Sequence, residues 1–127
     1  GLIYPLLATD DVHYYDGTDT TCSYIMLACA PDATDTELLQ AIREKRFYAT
    51  QGPEVHLDIV RDEAVARCSP AARITLFTNR VWGRGHSVRG ENLTEHRAKL
   101  DPTETFIRAE VTDANGKMAW SNTIRLK

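Results

Sequence analysis

The sequence predicts an α+β chain that is mainly β, with one helix preceding an antiparallel sandwich of immunoglobulin-like shape. Three observations predict it. Apolar residues recur with period two through most of residues 53–127. A single stretch carries a helix-start signature. Asn115-Gly116, which tolerates positive φ, separates two alternating runs as a tight hairpin requires. The Cys-Trp-Cys spacing of an antibody-type domain is missing, so the expectation concerns shape rather than that family.

In chain order, Leu2, Ile3, Leu6 and Leu7 form an apolar run that reads as a strand buried on both faces. The polar stretch "YYDGTDTT" is a loop, and "CSYIMLACA" a second strand. The helix is expected within "TDTELLQAIREKRFY". Thr34 with Glu37 makes a capping box, Leu38, Leu39 and Ile42 share a face beside Ala41, and Lys45 and Arg46 suit the negative end of the helix dipole. Gly52-Pro53 breaks the chain, giving an expected boundary between residues 1–52 and 53–127. Beyond it, Val55, Leu57 and Ile59 share one strand face. Ile74 and Leu76 share another, with Phe77 opposite. Ile107, Ala109 and Val111 follow, then Met118, Trp120, Ile124 and Leu126, where Trp120 is expected in the core. "TNRVWGRGHS" and "DPTET" read as loops.

Composition narrows the function. The chain has 127 residues and a net charge of −3, with acids and bases interspersed, so no basic stripe points to nucleic acid. No segment is apolar for long enough to cross a bilayer, so no membrane partner is expected. Cys22, Cys29 and Cys68 match no zinc framework and read as reduced, partly buried thiols of a cytoplasmic protein.

The chemistry concentrates in "ATDDVHYYDG". At a strand end, period two would point Asp11 and His13 the same way, a mixed oxygen and nitrogen donor pair suited to zinc, manganese or iron. Asp10 would point to the opposite face, behind the ligands or capping the loop. Two ligands do not complete a metal site, and the other histidines, His56, His86 and His96, are scattered. The plainer alternative is an Asx-turn at Asp10 or Asp11 with His13 on the surface.

"ATDDVHYYDG" resembles the last metal-binding motif of the PHP (polymerase and histidinol phosphatase) superfamily. "ELLQAIREKRFYATQGPE" is similar to the helix and following segment of PHP-domain phosphoesterases, and "AWSNTI" to the closing stretch of one branch's C-terminal β domain. The resemblance implies a C-terminal piece of such an enzyme: residues 1–52 a remnant of a (β/α)7 barrel, and residues 53–127 the appended sandwich. The early His-x-His and middle ligands of the family are not in this chain. The resemblance implies that Asp11 and His13 are late metal ligands. The parent enzyme would hydrolyse a small phosphorylated metabolite or nucleotide with metal-activated water. The missing barrel would be its partner, and the chain alone would be inactive and bind divalent metal weakly. Lys45 stands where the family has a helix-ending Gly, implying an end without a left-handed cap, and Thr123 stands where it has Pro.

Other residues admit two readings each. Arg46 and Gln51 would contact substrate phosphate or simply shape the linker. Trp82, Arg84 and His86, in the most basic stretch, would contact a ligand or form a solvated hairpin loop. On the second function reading, the sandwich is a non-catalytic accessory module for carbohydrate, protein or another subunit. The exposed side of the Leu2–Leu7 run predicts self-association through residues 1–30, a possible homo-oligomer.

Overall fold

The computed structural model describes residues 2–14, 16–81, 83 and 85–127. Among them, eight strands form one antiparallel sheet with a single α-helix. In chain order these are β1 (Tyr24–Leu27), α1 (Asp35–Arg43), β2 (Phe47–Thr50), β3 (Val55–Val60), β4 (Glu63–Thr78), β5 (Ser87–Lys99), β6 (Phe106–Thr112), β7 (Met118–Ser121) and β8 (Ile124–Arg125). The hydrogen-bonded path runs β1-β2-β7-β6-β4-β3, with β5 beside β4 and β8 beside β6. The strands raised from residues 1–52 therefore enter the same sheet as the rest, because β2 pairs with β7 through Tyr48↔Ser121, Ala49↔Trp120 and Thr50↔Ala119.

A fold in β4 turns this sheet into two layers. Its first half, Glu63–Cys68, pairs with β3, and its second half, Arg73–Thr78, pairs with β6. The register against β5 shifts twice between Arg67 and Arg73, the mark of bulges, which bend a strand and increase its twist. Pro70 sits in this stretch, where the ladder asks for no N–H. The bend lays β3 across β6 and β7. Between the layers lies a core of Val55, Ile74, Leu76, Ile107 and Val111, lined by Ala64, Ala66, Ala71, Ala98, Ala109 and Ala119. The small alanines let the layers approach closely and leave the larger aliphatic residues to supply most of the buried area.

The helix starts as its signature predicts. Thr34 Oγ1 accepts from Glu37 N, while the Glu37 carboxylate accepts from Thr34 N at 2.8 Å. It ends earlier than expected, at Arg43, and Phe47 and Tyr48 belong to β2. Nor does its end lack a left-handed cap. Lys45 has φ 59°, Lys45 N donates to Ile42 O at 3.0 Å and Arg46 N to Ala41 O at 2.9 Å. This is the full Schellman pattern, built without glycine. Leu38, Ala41 and Ile42 face inward, whereas Leu39 is exposed.

Four further expectations need correction. Leu2–Leu7 is irregular rather than a buried strand: Leu2, Tyr4 and Leu7 are exposed. Pro5 has no N–H for a ladder, and Leu6 N donates instead to the Asn122 side chain at 3.2 Å. Trp120 is half-buried on the outer face, because the register turns Ala119 and Ser121 inward; a slip of one residue exchanges the two faces. β4 begins eleven residues before Ile74 and β5 occupies a stretch that no alternation marked. Cys22 and Cys29 are exposed rather than partly buried; Cys68 is half-buried, and burial raises its thiol pKa. None of the three is in a disulfide. No helix among the described residues is long and apolar enough to cross a membrane.

Candidate metal-ligand loop

Residues 8–14 and 16–23 precede β1 as irregular loop segments closed by two carboxylates that grip each other's segments. Asp10 Oδ2 accepts from Thr21 N at 2.5 Å, and its Oδ1 from Ser23 N at 2.6 Å. In the opposite sense, Asp19 Oδ2 accepts from His13 N at 2.6 Å and from Tyr14 N at 3.1 Å. The segment 10–14 is thus laced to the segment 19–23 from both sides. Within the turn, Asp16 accepts from the Thr18 amide and hydroxyl. The amide donors hold the Asp10 carboxyl below the usual carboxylate range, Ser23 N contributing most. Asp16 is lowered in the same way by Thr18.

The loop's geometry differs from the strand end expected from the sequence. Asp11 has φ 54°, a left-handed backbone, so period-two alternation does not orient Asp11 and His13. Both are exposed, and among the described residues neither side chain makes a hydrogen bond or ion pair. Asp10 serves as the loop's clamp. Asp19, which the sequence reading passed over as loop, is its counterpart, and its Oδ1 is buried without a hydrogen-bond partner. The signal was available: aspartate among Gly and Thr is the composition of side-chain-to-backbone turns. Among the described residues, no group of three or more His, Cys, Asp or Glu could hold a metal unaided. Asp11 and His13 remain an exposed oxygen and nitrogen donor pair on one loop, chemistry of the kind that zinc, manganese or iron accepts.

Arg46 and Gln51 are occupied in framing this region. Arg46 donates to Ala28 O at 2.6 Å and pairs with Glu44 at 2.7 Å, closing the α1–β2 turn onto the end of β1. Gln51 exchanges bonds with β7: its N donates to Met118 O at 2.8 Å and its Oε1 accepts from Met118 N at 3.0 Å. Asn122, at the break between β7 and β8, donates to Lys45 O and Phe47 O and accepts from Leu6 N. One asparagine therefore ties the chain leading into the loop to the helix end and β2. These bonds join "RFYATQGPE" to "AWSNTI" and hold Leu6, two residues ahead of "ATDDVHYYDG", against them. Beside them, a groove of about 640 Å³ runs past Met26, Arg46, Tyr48, His56 and Asn122. Tyr48 meets the His56 ring edge-on, and burial raises its phenol pKa.

The basic hairpin loop forms a separate cluster. Trp82 and Arg84 lie outside the described residues. His86 is buried, with Nε2 3.4 Å from the carboxylate of Glu104, itself wholly buried. Glu104 also accepts from Thr78 Oγ1 at 3.1 Å and Asp101 N at 2.9 Å. Arg80 pairs with Asp101, and Lys99 with Asp62. The described cations around the 350 Å³ cleft here are each matched by an acid. A Cβ on Gly83 would fall 1.9 Å from His86 Nδ1, so glycine permits this approach. The sequence reading marked His86 but missed Glu104. Its signal was a Glu three residues after Asp101, the spacing that lets a carboxylate reach back to an amide.

The chain matches no protein-family model, no curated protein and no solved structure.

Proposed function

We propose that this chain is the C-terminal portion of a PHP-type metal-dependent phosphoesterase and that its loop of residues 8–23 lends Asp11 and His13 to the metal centre. The observation that carries this reading is the division of labour within the loop. Asp10 and Asp19 are consumed in shaping it, and Asp11 and His13 are left exposed with uncommitted donor atoms. Two of the three segments that resemble the family also bond to each other, Asn122 donating to Lys45 O and Phe47 O, and Asn122 accepts from Leu6 N just ahead of the third.

On this reading, the loop of residues 8–23 meets a barrel whose strands supply the other ligands, and β1 and β2 belong to the appended sheet with residues 53–127. A divalent cation, when bound, supplies charge neutralisation for the phosphate ester and acidifies the attacking water. The chain's own contribution is positional: the His13 imidazole and Asp11 carboxylate are presented at the loop surface, and the framework around Asn122 fixes where the loop leaves the sheet. The substrate class is a small phosphorylated metabolite or nucleotide.

Two measurements test this. Millimolar Mn²⁺ added to the chain should broaden amide resonances of residues 8–23 selectively, and His13→Ala should remove that effect. Broadening spread evenly over the acidic surface would overturn the reading. In a longer protein containing this chain and the His-x-His portion, metal-dependent hydrolysis of an aryl phosphate should fall about 100-fold or more with His13→Ala, since even residues behind metal ligands cost up to that.

A further inference from the structure

We propose that Asp19 is a positioning residue that aims His13 at the divalent cation. This inference rests on the metal-ligand reading of the loop and deepens it. A histidine ligand is useful only if its ring is held in one place, and metal-bound rings usually acquire this from a partner at their second nitrogen. No such partner of the His13 ring exists among the described residues. The restraint comes from the backbone instead. Asp19 Oδ2 takes the N–H of His13 at 2.6 Å and of Tyr14 at 3.1 Å, so one oxygen fixes two successive peptide planes. Asp10, the loop's other clamp, grips Thr21 and Ser23 and touches neither ligand.

A second observation points the same way. Asp19 Oδ1 is buried and unpartnered. Buried polar oxygens are normally satisfied, and an orphan calls for an explanation. A carboxylate needed only to close a turn could leave that oxygen in water, as Asp11 does. Held inside the loop instead, it fixes the orientation of the carboxylate that keeps Oδ2 on the His13 and Tyr14 amides.

The test compares Asp19→Ala, Asp19→Asn and Asp10→Ala by Mn²⁺-induced broadening of loop resonances, with sheet resonances reporting the fold. Positioning predicts that Asp19→Ala raises the Mn²⁺ midpoint about 10-fold, the lower range for groups that orient metal ligands. Asp19→Asn, which keeps an oxygen acceptor, should recover most of that loss. Asp10→Ala, which opens the loop without releasing His13 N, should have a smaller effect. Equal midpoints for wild type and Asp19→Ala overturn the positioning role alone. Equal losses for Asp10→Ala and Asp19→Ala reduce Asp19 to loop closure. An Asp19→Asn loss as large as that of Asp19→Ala makes the charge itself the requirement and overturns positioning. Absence of any localised broadening in the wild type overturns the metal-ligand reading and this inference with it. Should Asp19→Ala disturb the sheet, the contrast between Asp19→Asn and wild type still decides between charge and acceptor.

Discussion

Lys45 holds a left-handed backbone, a conformation that costs an L-residue about 1–2 kcal/mol and glycine almost nothing. Glycine forfeits part of that advantage through its greater freedom in the unfolded chain. Lys45→Gly should therefore stabilise the fold by about 0.5–1 kcal/mol, read from the urea midpoint. The gain is tempered by the loss of the Lys45 Nζ bond to Ile3 O at 3.1 Å. Asp10 supplies a pH prediction. Its folded-state pKa lies below the ordinary aspartate range, because backbone amides, Ser23 N foremost, stabilise the ionised form. A depressed carboxyl contributes stability that is present above the unfolded pKa and lost as pH falls through the folded one. The Thr21 and Ser23 amide shifts should stay constant from pH 8 to about pH 5 and move only below about pH 4, near and under the ordinary aspartate pKa. Movement near pH 6 instead would show that some other group closes the loop.

The helix was legible because its start is written in local chemistry: Thr34 and Glu37 satisfy each other's amides whatever the rest of the chain does. β3, β6 and the second half of β4 were legible because one face of each is buried, which imposes the period of two. β5 was hidden for the opposite reason. Of its thirteen residues only Ala98 is buried, and its side chains meet β4 largely through polar pairs such as Arg67–Glu95, Arg97–Glu63 and Thr75–Ser87, so it leaves no apolar rhythm. The first half of β4 was masked by Pro70, which a bulge tolerates and a regular ladder would not. In the loop, Asp11 and His13 were visible as donor types, and the Asp10–Asp19 lacing was not, since it depends on which amides a turn brings within reach. The framework yields the sharpest mutational prediction at this scale. Asn122→Ala removes three hydrogen bonds to Leu6, Lys45 and Phe47. It should cost about 1–3 kcal/mol in thermal or urea unfolding, and it should speed hydrogen exchange at Leu6 before the β4–β6 ladder is affected. Ile74→Ala, by contrast, opens a cavity between the layers and should cost about 2–5 kcal/mol across the whole sheet.

Over the whole molecule, exposed apolar side chains are concentrated at the front of the chain. Leu2, Tyr4, Leu7, Tyr14 and Met26 all face outward, while the two-layer core is closed. Among the described residues, β1 also leaves one edge unpaired. Sedimentation equilibrium at high protein concentration should show self-association, and Leu7→Ser with Met26→Ser should shift the chain toward monomer; a wild type that stays monomeric refutes this. The pairing of β2 with β7 has another consequence, in time rather than space. Seventy residues separate Tyr48 from its neighbours on that side, from Ala119 to Ser121. While the polypeptide is being synthesised, β2 can dock on β1 at once, but its other flank stays bare until β7 has emerged from the ribosome. A nascent chain halted before Met118 should accordingly be vulnerable to protease at Phe47–Gln51, and emergence of Met118–Ser121 should seal it.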